Sequence, residues 1–121
     1  MRVVCLCAQW CGVCRDYTAL FEQVSADFGG AAEFAWVDIE DEAELLDSVD
    51  VDNFPTLLIV RADQPLFFGT ITPHAATLAR LVQGALAGEL KPQACAPGVA
   101  ALAQRVSAWC GRRRLPEPNL R

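Results

Sequence analysis

The stretch Val3-Val4-Cys5-Leu6-Cys7-Ala8-Gln9-Trp10-Cys11-Gly12-Val13-Cys14 decides how the rest of the chain is read. Val3 to Ala8 is a continuous apolar run, the pattern of a strand buried on both faces of a parallel sheet. Beyond Cys11 the period changes: Tyr17, Leu20, Phe21, Val24 and Phe28 recur at steps of three and four, which is one face of a helix. Cys11 and Cys14 therefore fall where strand gives way to helix. Disulfide exchange needs a thiolate, and an ordinary cysteine with a pKa of about 8.5 is mostly protonated at neutral pH. The unpaired N–H groups and positive dipole end of a helix start stabilise that anion. Cys11 is expected to be the exposed nucleophile. Cys14, one turn along and facing inward, is expected to resolve the mixed disulfide.

Outward from this junction, Gly29-Gly30 marks the helix end. Phe34 to Ile39 is a second short strand, and the acidic stretch Glu40 to Asp47 holds a short helix with Leu45, Leu46 and Val49 turned inward. Asn53-Phe54-Pro55 is a turn before a third strand, Thr56 to Val60. Arg61 to Pro65 has turn composition, and Leu66-Phe67-Phe68 closes a hairpin. Thr72-Pro73 reads as a helix start, with threonine as the cap and proline at the first helical position; the helix runs through Leu78, Leu81, Val82 and Leu86. The order is β-α-β-α-β-β-α, a mixed sheet with parallel crossovers and an antiparallel hairpin at its edge. Residues 1–88 form one domain on this reading. Residues 89–121 form an extension: a linker from Gly88 to Pro97, a helix over Val99 to Trp109 and a mobile basic tail from Arg112.

With 121 residues, 53% of them hydrophobic and 21% charged, the chain has room for one globular domain. No apolar run approaches the roughly 20 residues that span a membrane. The six apolar residues from Val3 to Ala8 are shorter than the roughly 7–15 of a signal-peptide core, so the protein is expected to be cytoplasmic and made without an export signal. The net charge of −5 hides an asymmetry: the four basic residues before position 89 face thirteen acidic ones, whereas residues 89–121 carry six basic residues against Glu89 and Glu117. An acidic body argues against nucleic acid as a partner, and Arg112-Arg113-Arg114 reads as a solvated tail. Six cysteines in a reducing compartment point to catalysis or metal rather than to structural disulfides.

The chain resembles the thioredoxin family. The likeness rests on Trp10-Cys11-Gly12-Val13-Cys14 after a strand, on Val37-Asp38-Ile39-Glu40, on Phe54-Pro55-Thr56 opening the next strand, and on Gly69 beyond the hairpin. It covers residues 2 to about 88. It implies a thioredoxin fold in a minimal four-stranded form like that of glutaredoxins, without the family's usual opening strand and helix. One sheet edge would then be uncovered, with the C-terminal segment as a candidate cover. The resemblance implies Pro55 as a cis proline beside the two cysteines, and Phe54 offering its backbone to a substrate strand. Trp10, Gly12 and Val13 complete the implied docking surface. It also implies a thiol–disulfide oxidoreductase without a cofactor, first of all a reductase, acting on protein disulfides and served by a reductase or another thiol donor. Oxidase and isomerase stay open, because Val13 stands where the family commonly has proline and the intervening pair tunes the potential. Cys5 replaces the family's buried aspartate and Trp36 its lysine neighbour, which makes Cys5, Cys7 and Trp36 candidate modulators.

Cys5 and Cys7 are expected on opposite faces of the sheet, so that Cys5, Cys7, Cys11 and Cys14 do not converge on a metal ion. They are then small apolar core residues, or Cys5 lies under Cys14 and exchanges with it. Cys95 and Cys110 flank the last helix, roughly 20 Å apart if all between them is helical, and they pair only if that segment folds back. His74, the single histidine, is expected at the surface. The alternatives to an oxidoreductase are a cluster-binding module and a redox-inert interaction domain.

Overall fold

The computed structural model describes residues 1–8, 12–46, 49, 51, 54–62, 64–90 and 98–114. Its elements are β1 (Arg2–Cys7), α1 (Gly12–Phe28), β2 (Glu33–Asp38), α2 (Ala43–Leu46), β3 (Thr56–Arg61), β4 (Gln64–Thr70), α3 (Ala75–Leu86) and α4 (Val99–Arg114). The sheet order is β2-β1-β3-β4. β1 pairs parallel with β2, from Arg2 beside Glu33 to Cys7 beside Asp38, and antiparallel with β3, from Arg2 beside Val60 to Leu6 beside Thr56. This is the mixed four-stranded thioredoxin fold expected from the sequence. Paired on both sides and covered on both faces, β1 buries every residue from Val3 to Cys7, and Ala8 just beyond it is buried too, which is why the segment reads as an unbroken apolar run.

Strand alternation divides the core into two layers. Val3, Cys5, Cys7, Leu57 and Ile59 pack with Cys14, Tyr17, Phe21 and Val24 of α1 and with Leu78, Val82 and Ala85 of α3. Val4, Leu6, Leu58 and Val60 point the other way, onto Leu45 and Leu46 of α2 and Val99, Leu102, Ala103 and Val106 of α4. The C-terminal helix therefore lies across a sheet face, touching β4, β3 and α2, rather than along an edge. An apolar face needs area to cover it, and a helix stripe at three- and four-residue spacing supplies more of it than an edge does. Arg105 ties the layer together: its guanidinium donates to the carbonyl oxygens of Leu45 at 2.6 Å and Leu46 at 3.2 Å at the end of α2, the second of which also accepts the Val49 N–H at 2.8 Å.

Three local expectations shift. The hairpin is tighter than the composition of residues 61–65 suggests: β3 continues to Arg61 and β4 begins at Gln64, with Ala62 at a φ of 52°. Pro65 is accommodated inside β4, opposite Val60 beside a register shift, because β4 is an edge strand and can lack one donor. The helix expected from Thr72 begins at Ala75, with His74 as N-cap in extended backbone. The Thr72 carbonyl already accepts the His74 N–H at 2.8 Å, and its hydroxyl lies 2.8 Å from that of Thr77. At the C-terminus, α4 runs to Arg114, past Trp109 and through the first residues of the segment expected to be a mobile tail. Gly29, with a φ of 58°, ends α1 as expected.

Leu102 is fully buried between α4 and the sheet. Leu102→Ala is expected to lower the unfolding free energy by about 3 kcal/mol, read as a lower urea midpoint with the sheet's far-ultraviolet signal retained in the native baseline.

Candidate active site

The site is built where β1 stops and α1 begins. β1 ends at Cys7, and Cys14 lies in the first turn of α1 on its buried side. Cys7 and Cys14 are joined by a disulfide whose Cα atoms stand 5.8 Å apart, inside the usual range for such bonds. Both residues are buried, with relative exposures of 0% and 1%. The Thr18 hydroxyl donates to the Cys14 carbonyl at 3.1 Å. The third sulfur is that of Cys5, whose thiol points at Cys7 Sγ from 3.8 Å.

This corrects the placement of Cys5 and Cys7 on opposite faces. Residues two apart on a strand share a face, and both side chains point into the layer formed with α1 and α3. The sulfur that meets Cys14 is that of Cys7, with Cys5 one step behind it; the same spacing of two, taken with the inward position of Cys14, was the signal in the sequence. Among the described residues, no group of three or more metal-binding side chains has the arrangement to hold an ion.

Burial governs the electrostatics. It pushes the Cys5 thiol well above its ordinary value, so Cys5 stays protonated and can offer its S–H to a neighbouring sulfur. Tyr17, one turn after Cys14, is raised too, first by burial and then by the proximity of Cys5. Its hydroxyl is buried with no hydrogen-bond partner among the described residues. Trp36 stands beside Cys5 in the β1–β2 register and packs on Tyr17 and Phe21, with ring centroids 6.4 and 5.6 Å away.

On the solvent side, Gly12 is exposed and Val13 is 44% exposed, the exposed large hydrophobic residue among those described. The Phe54–Pro55 peptide is cis. Pro55 is buried and Phe54 half-buried. One register step beyond the Leu6–Thr56 pair, Pro55 comes level with Cys7, and its carbonyl accepts the Ile71 N–H at 3.1 Å. Trp10 and Cys11 lie outside the described residues, as does Cys95. Cys110 is buried against the other sheet face, and His74 is exposed at the start of α3.

The sequence model of the family described as Thioredoxin matches residues 1–83. The thioredoxin of Staphylococcus aureus is 27% identical over 66 residues, which make up 54% of this chain and 64% of that protein. The chain thus spans just under two thirds of the length of that relative. Among solved structures, thioredoxin from Trypanosoma brucei brucei superposes with a TM-score of 0.62 at 24% identity, over 71% of this chain and 74% of that one. The oxidised thioredoxin of Plasmodium falciparum gives 0.61 at 19% identity, over 70% and 80%. These two likenesses speak for the fold.

A thiol and a phenol held protonated by burial make the folded state lose stability in alkali. The folded form keeps protons that the unfolded form releases above pH 9 for Cys5 and above pH 10 for Tyr17, so stability is full below pH 9 and falls as pH rises. Each such group erodes stability progressively as pH rises beyond its ordinary value, Cys5 first. Cys5→Ala is expected to delay the onset by about one pH unit, seen in urea midpoints measured between pH 8 and pH 11.

Proposed function

The chain belongs to the thioredoxin family, and from that premise we propose that it exchanges disulfides with protein substrates through Cys11 and Cys14. The observation that supports this reading best is Cys14 itself. Its sulfur sits in the first turn of a helix that follows the central strand, within bonding distance of a second cysteine, Cys7. Cys11, three residues earlier, attacks a substrate disulfide as a thiolate. The substrate's leaving sulfur departs, and a mixed disulfide forms on Cys11. Cys14 then attacks Cys11, releasing the reduced product and leaving Cys11 and Cys14 oxidised.

The exposed Gly12 and Val13, with Trp10 and the Phe54–Pro55 turn, form the surface on which a substrate segment docks. Phe54 and Val13 supply apolar contact there, and the backbone before the cis proline offers hydrogen bonds to an extended chain. Among the described residues no helix is long and apolar enough to cross a membrane. The reading takes the chain as a reductase of the reducing cytoplasm, recharged by a reductase or another thiol donor and needing no cofactor of its own.

Cys11→Ser is expected to abolish insulin reduction, and Cys14→Ser to accumulate covalent mixed disulfides with substrate. Full insulin reduction by Cys11→Ser would overturn the assignment. The reductase direction is expected to show as a midpoint near about −270 mV in glutathione buffers, whereas a midpoint near about −120 mV would mark an oxidant.

A further inference from the structure

We propose that Cys7 is a second redox partner of Cys14, so that the chain can pass its disulfide from the Cys11–Cys14 pair to a buried Cys7–Cys14 bond. The inference rests on the reading of Cys11 and Cys14 as the reacting pair. Three observations support it. Cys7 and Cys14 are bonded, with their Cα atoms 5.8 Å apart. Both sulfurs lie in the core, where a protein substrate or a small thiol cannot line up for attack. Cys5 stands behind Cys7 with its thiol 3.8 Å from Cys7 Sγ.

The exchange balances without an outside reagent. Cys7, as thiolate, attacks Sγ of Cys14 in the Cys11–Cys14 disulfide. The Cys7–Cys14 bond forms, the Cys11–Cys14 bond breaks, and Cys11 leaves with the electron pair as a thiolate. One disulfide and one thiol are present before and after. The proton lost from Cys7 is taken up by Cys11 or by water. In the reverse direction Cys11 attacks Cys14 and Cys7 is the leaving group. A thiolate leaving into an apolar core needs a donor, and the Cys5 S–H is placed to give it one. Cys5 is thus a positioning residue for the transfer, acting through Cys7.

The transfer would have a chemical consequence. A chain holding Cys7–Cys14 is oxidised by two electrons, yet it presents Cys11 as a single thiol with no resolving partner. It can capture a substrate or glutathione on Cys11 but cannot release it until Cys14 is freed. The buried bond would therefore set aside an oxidised form that outside thiols reach only through Cys11.

The experiment uses the full chain as wild type, Cys11→Ser, Cys7→Ala and Cys5→Ala. Each is refolded from urea in a series of glutathione buffers, so that access to buried sulfurs does not limit equilibration. Free thiols are blocked in acid, disulfides reduced and the new thiols given a second label. Arg2 and Arg15 bracket residues 3–15 in one tryptic peptide, and fragmentation of that peptide assigns the second label among Cys5, Cys7, Cys11 and Cys14. Cys11→Ser is expected to take up two second labels, on Cys7 and Cys14. Wild type is expected to divide its second label between Cys7 and Cys11 while Cys14 carries it throughout, and Cys7→Ala to place it on Cys11 and Cys14 alone. In native oxidised protein, dithiothreitol is expected to reduce Cys7–Cys14 at least tenfold more slowly in Cys11→Ser than in wild type. Cys5→Ala is expected to slow that reduction in wild type without changing which residues are labelled.

Cys11→Ser left with both Cys7 and Cys14 unlabelled, or with glutathione on Cys14 alone, would overturn the inference and leave the Cys11–Cys14 reading standing. Wild type that shows Cys7–Cys14 in every buffer and never Cys11–Cys14 would overturn both the transfer and the Cys11–Cys14 pair proposed above, leaving the buried bond alone. Equal rates of reduction in wild type and Cys11→Ser would overturn the transfer between them.

Discussion

Everything in this molecule hangs on the two-residue period of β1, a central strand hydrogen-bonded on both sides. Because it pairs with β2 and with β3, its backbone is fixed, and its side chains have only two directions to take. One set, Val3, Cys5 and Cys7, meets α1 and α3; the other, Val4 and Leu6, meets α2 and α4. The same alternation that builds two hydrophobic layers delivers a row of sulfur to the layer in which Cys14 is buried. Core packing and redox chemistry thus share one geometric cause.

The rest of the site follows from what surrounds that strand. β3 runs antiparallel beside β1, which carries the Phe54–Pro55 turn to the level of Cys7. β2 runs parallel on the other side and sets Trp36 beside Cys5. The aromatic rings of Tyr17, Phe21 and Trp36 close this layer against water, and the loss of solvation keeps the Cys5 thiol protonated. The exposed start of α1 at Gly12 and Val13 and the dry sulfur cluster that includes Cys14 lie within a single helical turn.

Much of this architecture was legible from residues alone. The switch of period at Cys11–Cys14 locates a strand-to-helix junction, and Gly29, Pro55 and the run Thr56–Val60 punctuate the chain where the elements begin and end. Cys7 was lost by giving Cys5 and Cys7 different faces, although a separation of two puts them on the same one. The start of α3 moved because the Thr72 carbonyl and hydroxyl are both committed locally, a fact of backbone geometry that composition does not carry. The stripe of Val99, Leu102, Ala103 and Val106 announces a helix, but its partner surface is assembled from β3, β4 and α2. No local pattern can name neighbours that distant in sequence. Arg105 is the clearest case: its partners are the carbonyls of residues 45 and 46.

That clasp has a consequence for how the chain is made. Val4, Leu6, Leu58 and Val60 leave the ribosome well before Val99 to Val106, which cover them. During synthesis the sheet can gather its first layer from α1 and α3, while its second face has only α2 to cover it until the final helix emerges. For that interval the nascent protein displays an apolar surface of the kind that chaperones hold and that neighbouring chains stick to. Slowing translation between α3 and α4 would lengthen that exposure without altering a single residue.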